Sequence, residues 1–339
     1  MSHSAAIMGL SGLRLSADER AFFRDCDPWA FILFARNVET PEQVSRLTSE
    51  LRDCAGRDCL VFIDQEGGRV QRMRPPHWRN YPSGAQLSEG YADDKNARRR
   101  AVYLHHRLIA ADLLAVGVNA DCAPVLDIPQ PGADAIISDR AFGDNTEQVI
   151  ELGQAAMDGL LAGGVAPVIK HIPGHGRAMV DSHLALPRVD TGLEALTRTD
   201  FKPFKALNNA PMAMSAHIVY EAQDDAVLTL SKSAIDKIVR GDIGFDGLLM
   251  SDDLDMKALS GDLTEKTALA LAAGCDIALH CSGDLADMVK VASGAKPLSG
   301  EALRRAKAAR MSAGTPDVFD AAQGWDELCA LVPSLNAVS

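Results

Sequence analysis

The sequence predicts an α/β protein folded as a single closed (β/α)8 barrel, and three observations carry that expectation. Eight short runs rich in Val, Ile, Leu and Met recur along the chain, amphipathic stretches of helical period separate them, and clusters of Gly, Pro and polar residues follow several of the runs directly. Continuous apolar strands alternating with helices indicate a parallel sheet covered on both faces. Eight such units fit a closed barrel better than an open, doubly wound sheet.

Taken in order, strands are expected near Ala6–Leu10, Ala30–Phe34, Leu60–Asp64, Gly117–Ala120, Val165–Lys170, Met212–Ala216, Gly247–Ser251 and Asp276–His280. Helical patterns run over Pro41–Cys54, Asn96–Val116, Thr146–Leu161, Leu193–Leu207, Ser231–Arg240 and Thr264–Ala273. Residues 1–300 make up the expected barrel. Residues 301–339 add a helix, EALRRAKAAR, and a tail containing Trp325, with no repeat or inter-domain linker dividing the chain. In barrels of this kind the C-terminal ends of the strands carry the chemistry, so the clusters after the runs hold the candidate site.

Composition narrows the function classes. With 47% hydrophobic and 24% charged residues in 339, the chain is an ordinary globular protein with a large core. Its net charge of −12 argues against nucleic-acid or anionic-membrane partners, which need basic surface. No apolar run reaches the roughly 18 residues of a membrane span. The N-terminal MSHSAAIMGLSGLRLSADER has neither a basic n-region nor an apolar h-region. Seven scattered cysteines, odd in number and without a CxxC pair, read as reduced thiols, and the expected compartment is the cytoplasm.

Four clusters carry candidate chemistry. Ser251-Asp252-Asp253-Leu254 follows the apolar GLLM. Alternation along a strand sends neighbouring side chains to opposite faces, one Asp to the mouth and one to a supporting layer; both could instead cap a helix. Lys170-His171-Ile172-Pro173-Gly174-His175-Gly176 runs on to Asp181-Ser182-His183. Pro173, Gly174 and Gly176 forbid a regular helix there, so His171 and His175 are not paired ligands on one helical face. Asp181 could orient the His183 imidazole and favour its charged form, poising it for proton transfer near neutral pH. The alternatives are a surface Asp-x-His pair, or a zinc site built from His171 and His175 with His183 or Asp181 as third ligand.

Asp64-Gln65-Glu66-Gly67-Gly68-Arg69-Val70-Gln71-Arg72 offers Asp64 to vicinal hydroxyls, and the Arg69 and Arg72 forks to carboxylate or carbonyl groups. It lacks the spacing of a nucleotide-binding loop. The bland reading is a Gly-Gly turn with an Asp–Arg surface pair. In Ser138-Asp139-Arg140, Arg140 is either a substrate clamp or a partner of Asp139 or Asp144.

Together and in this order, DQEGGRVQR, KHIPGHG, DSHLALP and SDDL resemble the family 3 glycoside hydrolases, in particular their bacterial β-N-acetylglucosaminidase branch, over roughly residues 5–300. The resemblance implies a TIM-type barrel with Asp252 as nucleophile and His183 as general acid/base, held by Asp181. It assigns Asp64, Arg72, Arg140, Lys170 and His171 to the N-acetylglucosamine ring. The activity it implies is retaining, exo-acting and free of metal and cofactor, releasing N-acetylglucosamine from GlcNAc-β-1,4-anhydro-MurNAc muropeptides during cytoplasmic peptidoglycan recycling. Arg177-Ala178-Met179 departs from the small or acidic residues often found there in relatives, which bears on loop conformation or substrate preference.

Rival readings follow from the same residues. An imidazole acid/base does not repel phosphate as a carboxylate would, so phosphorolysis is the nearest rival. A metal-dependent barrel hydrolase and a non-catalytic sugar-binding protein are the others. The glycines Gly174 and Gly176 are expected to hinge the His171–Pro187 loop over bound sugar. Trp78 and Tyr81 are the only aromatic residues placed for the rim, which speaks against a long glycan groove. A monomer or weak oligomer is expected.

Overall fold

The computed structural model describes residues 3–180, 182, 185–333 and 335. Eight parallel strands close into a barrel: β1 Ser4–Met8, β2 Pro28–Leu33, β3 Val61–Ile63, β4 Ala120–Asp121, β5 Ala166–Ile172, β6 Met212–Ser215, β7 Leu248–Asp253 and β8 Ile277–His280. The ring closes where β1 meets β8, with Ala6 opposite Ala278, Ile7 opposite Leu279 and Met8 opposite His280. All eight strands lie at the expected places, with boundaries shifted by a few residues.

The barrel explains why its strands read as unbroken apolar runs. Ile7, Phe62, Val168, Met214, Met250 and Leu279 fill the interior, while Met8, Val61, Ile63, Ile169 and Leu249 face the surrounding helices. Both faces of each strand are buried, so neither can be polar.

The two ends of the barrel differ. The helix Gly300–Ser312 lies across the N-terminal end and packs Ala306 and Ala309 into the interior cluster with Ala5 and Trp29. Arg304 holds both carboxylate oxygens of Asp246, at 2.8 and 2.7 Å, and Arg305 reaches Asp246 at 2.8 Å and Asp276 at 3.2 Å. Both aspartates stand just ahead of β7 and β8, so the basic run of EALRRAKAAR clamps this end. The C-terminal strand ends stay open.

Several helices differ from expectation. Ala17–Cys26 is a helix that hydrophobic periodicity does not reveal, because it buries little beyond Glu19 and Phe23. Its visible signal is the capping box Ser16-Ala17-Asp18-Glu19, in which Glu19 N–H bonds Ser16 Oγ and Ser16 N–H bonds Glu19 Oε2. The expected Leu193–Leu207 helix splits into Leu193–Arg198 and Lys202–Ala206, with Pro203 in the first turn of the second. The Ser231–Arg240 pattern becomes one α turn, Lys232–Ala234, widening into a π-helix over Ile235–Asp242. Leu285–Gly294 follows β8 as a helix, and Ala321–Leu331 forms another from part of the expected tail. Among the described residues no helix is long and apolar enough to cross a membrane.

Candidate active site at the barrel mouth

A pocket of about 180 Å³ opens at the C-terminal strand ends. Its lining includes Asp64, Arg72, Arg140, Lys170, His171 and Asp252, six of the eight residues the sequence singled out. They come from the ends of β3, β5 and β7, from the hairpin after β3, and from the loop after β4. The other two, Asp181 and His183, lie outside the described residues. Met214 and Leu279, members of the interior cluster, also line the pocket.

One wall is a chain of alternating charges. Arg72 Nη2 donates to Asp64 Oδ2 at 2.9 Å, and Lys170 Nζ donates to Asp64 Oδ1 at 2.9 Å. The same Lys170 nitrogen lies 2.6 Å from Glu66 Oε1. Arg140 then grips Glu66 with both arms, Nη2 to Oε1 at 2.7 Å and Nε to Oε2 at 2.8 Å. The order is therefore Arg72, Asp64, Lys170, Glu66, Arg140. Burial alone would push both carboxyls up, but the cations override it. Lys170 and Arg72 hold Asp64 well below the usual carboxylate range, and Arg140 and Lys170 hold Glu66 at about 2. Burial works against the charge on Lys170 and Arg140 as well, and their carboxylate partners raise both.

The hairpin that carries this wall is set by its own side chains. Gln65 Oε1 accepts the N–H groups of Arg72 and Met73, and Gln71 Oε1 accepts that of Tyr81. Gly67 has φ +96° and passes so near the Pro82 carbonyl that a Cβ would sit 2.3 Å from it, so glycine is required there. Asp121, at the end of β4, accepts the Gln65 N–H at 3.0 Å and is wholly buried. Burial pushes its carboxyl far up.

Arg69 binds Asp139 at 2.8 Å and the Ala135 carbonyl at 3.0 Å. It is the exposed Asp–Arg pair of the bland alternative, although its partner comes from another loop. Arg140 takes neither Asp139 nor Asp144: its carboxylate partner is Glu66, which local sequence reading left without a role.

His171 is fixed by Asp127. Its Nδ1 lies 2.7 Å from Asp127 Oδ2, and Asp127 Oδ1 also accepts the N–H of His175 at 2.6 Å. Burial would raise Asp127, and His171 beside it draws it below its usual value. The peptide between Lys170 and His171 is cis, and both side chains line the pocket. His175 turns to Ser182, Nε2 to Oγ at 3.1 Å, and burial lowers it to about 4. Among the described residues no three His, Cys, Asp or Glu groups are placed to hold a metal ion. The candidate third ligands, His183 and Asp181, are outside that set.

The opposite wall is the tip of β7. Asp252 and Asp253 both line the pocket, so the strand does not send one of them away as alternation suggests. Asp252 Oδ1 accepts the Asp253 N–H at 2.8 Å. Asp253 Oδ1 accepts N–H groups from Asp255 and Cys281 at 3.2 and 3.1 Å, and its carbonyl oxygen lies 3.0 Å from His217 Nε2. Burial, with the Asp252 charge beside it, raises Asp253 to about 6.

The expected aromatic rim needs correction. Tyr81 is 1% exposed, and its hydroxyl donates to Asp112 at 2.7 Å, so it belongs to the core. Trp78 is partly buried and packs on that same core. The aromatic residue at the pocket is Phe34, with the Arg72 guanidinium 5.4 Å from its ring centre.

Gly174 and Gly176, the expected hinges, are both closely packed in this structure. A Cβ on Gly176 would sit 1.8 Å from the Ile128 carbonyl oxygen, and the Tyr220 hydroxyl holds the Gly174 carbonyl. Arg177, the departure noted above, bonds Asp200 at 2.8 Å and Thr199 at 3.1 Å. The segment is pinned as far as Ala178, whose carbonyl accepts the Asp134 N–H at 2.8 Å.

A closed parallel barrel with charged side chains gathered at its C-terminal strand ends is the arrangement of a barrel enzyme. The family described as the glycosyl hydrolase family 3 N terminal domain matches residues 7–311, and the chain belongs to that family. A β-hexosaminidase of Alkalilimnicola ehrlichii is 39% identical over 282 residues, spanning 81% of this chain and 80% of that protein. The crystal structure of native NagZ from Neisseria gonorrhoeae superposes with a TM-score of 0.87 at 30% identity, covering 99% of this chain and 98% of that one. The structure of the same protein in complex with N-trifluoroacetyl-D-glucosamine gives a TM-score of 0.86 at 30% identity over the same shares.

Proposed function

We propose that this chain is a retaining exo-β-N-acetylglucosaminidase, and that the pocket at the barrel mouth takes one terminal N-acetylglucosamine. The observation that carries the reading is the convergence of Asp64, Arg72, Arg140, Lys170, His171 and Asp252, from four separated segments, on one small pocket. The family, and relatives named as β-hexosaminidase and as a complex with a glucosamine derivative, support it.

In this reading the charged wall and His171 hold the sugar's polar groups, and Asp252 attacks the anomeric carbon. The C–O bond to the aglycone breaks as His183, protonated, gives its proton to the leaving oxygen. In the second step His183 takes a proton from water, which displaces Asp252 with net retention. Asp181 keeps the imidazole oriented. Ser182, between those two residues, is buried, and its carbonyl accepts the Ala258 N–H at 3.2 Å, which sets that point of the loop against the turn after β7. The substrates proposed are GlcNAc-β-1,4-anhydro-MurNAc muropeptides in cytoplasmic peptidoglycan recycling. Residues 1–300 form the catalytic unit and 301–339 its support, in a monomer or weak oligomer.

The test is trapping with a fluorinated N-acetylglucosaminide followed by peptide mapping. Label on Asp252 is expected; label elsewhere, or none during turnover, defeats the covalent mechanism.

A further inference from the structure

Glu66 is the only member of the charged chain that does not line the pocket, yet it touches two members that do. Its side chain is 7% exposed, against 9% for Arg140 and 2% for Lys170. Two buried cations so close together repel strongly at low effective dielectric. An anion placed between them cancels that repulsion and sets the direction of each. Arg140 arrives on the loop after β4 and Lys170 on β5, and Glu66 is the carboxylate that both side chains reach.

The position of Glu66 is itself held from behind. His105, wholly buried on the helix Lys95–Ala115, has Nε2 3.1 Å from the Glu66 carbonyl oxygen. Burial lowers His105 far below its usual range, so the ring is neutral and Nε2–H serves as a donor to that oxygen. Gly67, next in sequence, leaves no room for a Cβ between Pro82 and the His105 ring. Exposed Arg69 makes a second tie between the hairpin and the loop, at Asp139.

We infer that Glu66 is a positioning residue for sugar binding: it presents Arg140 and Lys170 to the pocket without touching the sugar. The inference rests on the proposed function and adds a determinant of affinity to it. A residue acting only through binding groups that stay in place along the reaction changes affinity more than the chemical step.

The experiment compares wild type, Glu66→Gln, Glu66→Asp, Arg140→Gln and the Glu66→Gln/Arg140→Gln double variant. KM and kcat are measured on an aryl N-acetyl-β-glucosaminide, free N-acetylglucosamine binding by calorimetry, and Tm by thermal unfolding. Glu66→Gln is expected to raise KM and the sugar Kd about tenfold or more, with kcat changed less than about threefold. Glu66→Asp, which keeps the charge, should recover part of the affinity. The double variant should lose less than the product of the two single losses, because each residue acts through the other. If Glu66→Gln unfolds, the Glu66→Asp affinity and the Arg140→Gln comparison carry the test.

KM and Kd within about twofold of wild type in a folded Glu66 variant overturn the inference, as does a loss confined to Tm. Wild type that binds N-acetylglucosamine but cleaves nothing would sink the proposed activity while leaving Glu66 to be judged by calorimetry. Wild type that does not bind the sugar sinks both.

Discussion

The two walls of the pocket hold their carboxylates in opposite ways. On the β3 side, Asp64 and Glu66 are threaded between Arg72, Lys170 and Arg140, and the cations draw both well down. On the β7 side, Asp253 stands beside Asp252, takes backbone N–H groups, and has the His280 ring nitrogen 4.0 Å away; it is raised to about 6. A carboxylate locked between cations is fixed in charge and position, which suits holding a sugar. A pair of neighbouring carboxylates at a strand tip is electrostatically costly, which is where charge development at an anomeric carbon can be exploited.

The sharpest way to break this division of labour is to remove the two groups proposed for the chemistry. Asp252→Asn should cut turnover on the order of 10⁴-fold or more while leaving N-acetylglucosamine binding within about threefold. Turnover within an order of magnitude of wild type would end the assignment. His183→Ala should slow substrates with poor leaving groups by about 10²–10³-fold and activated aryl glycosides far less. Equal loss on both kinds would remove His183 from proton transfer to the leaving oxygen.

The β3 wall should respond in stability. Asp64→Asn leaves Lys170 with one carboxylate instead of two, and is expected to destabilise the fold by about 3 kcal/mol, read by chemical unfolding. A change under about 1 kcal/mol would mean the chain is held by packing rather than by its charges.

The smallest effect separates the walls by pH. Glu66 is depressed to about 2 from its ordinary 4.5, so its contribution to stability is full above 4.5 and is lost as pH falls through about 2. Asp253 is raised to about 6 from 3.8, so the folded state binds its proton more tightly, and that contribution is full below 3.8 and lost as pH rises through about 6. Asp253→Asn should flatten Tm between pH 4 and 6, and Glu66→Gln should flatten it only below 4.5. A Tm profile unchanged in both variants would erase the electrostatic contrast.

Legibility followed the range of the interactions. Asp64, Lys170, His171 and Asp252 stand at strand ends, and a strand with its end can be read from a few neighbouring residues. Glu66 sits in DQEGGRVQR and Asp127 in the loop after a strand, but neither shows a partner locally: Glu66 meets Arg140 across 74 positions, and Asp127 meets His171 across 44. Trp78 and Tyr81 went to the rim on position alone, whereas burial of Tyr81 against Asp112 and Trp325 is a contact between distant segments. Gly174 and Gly176 carry the same ambiguity, since glycine serves both motion and close packing.

By itself the sequence determined the barrel. Strands buried on both faces have to be apolar throughout, and the helices between them have to be apolar on one side, so the order of elements is written in hydrophobicity. It also determined which charged residues sit at strand ends. Only the closed tertiary structure decided how those charges pair, because closure brings three segments to one point, and the energy of an ion chain depends on distances that no local pattern encodes.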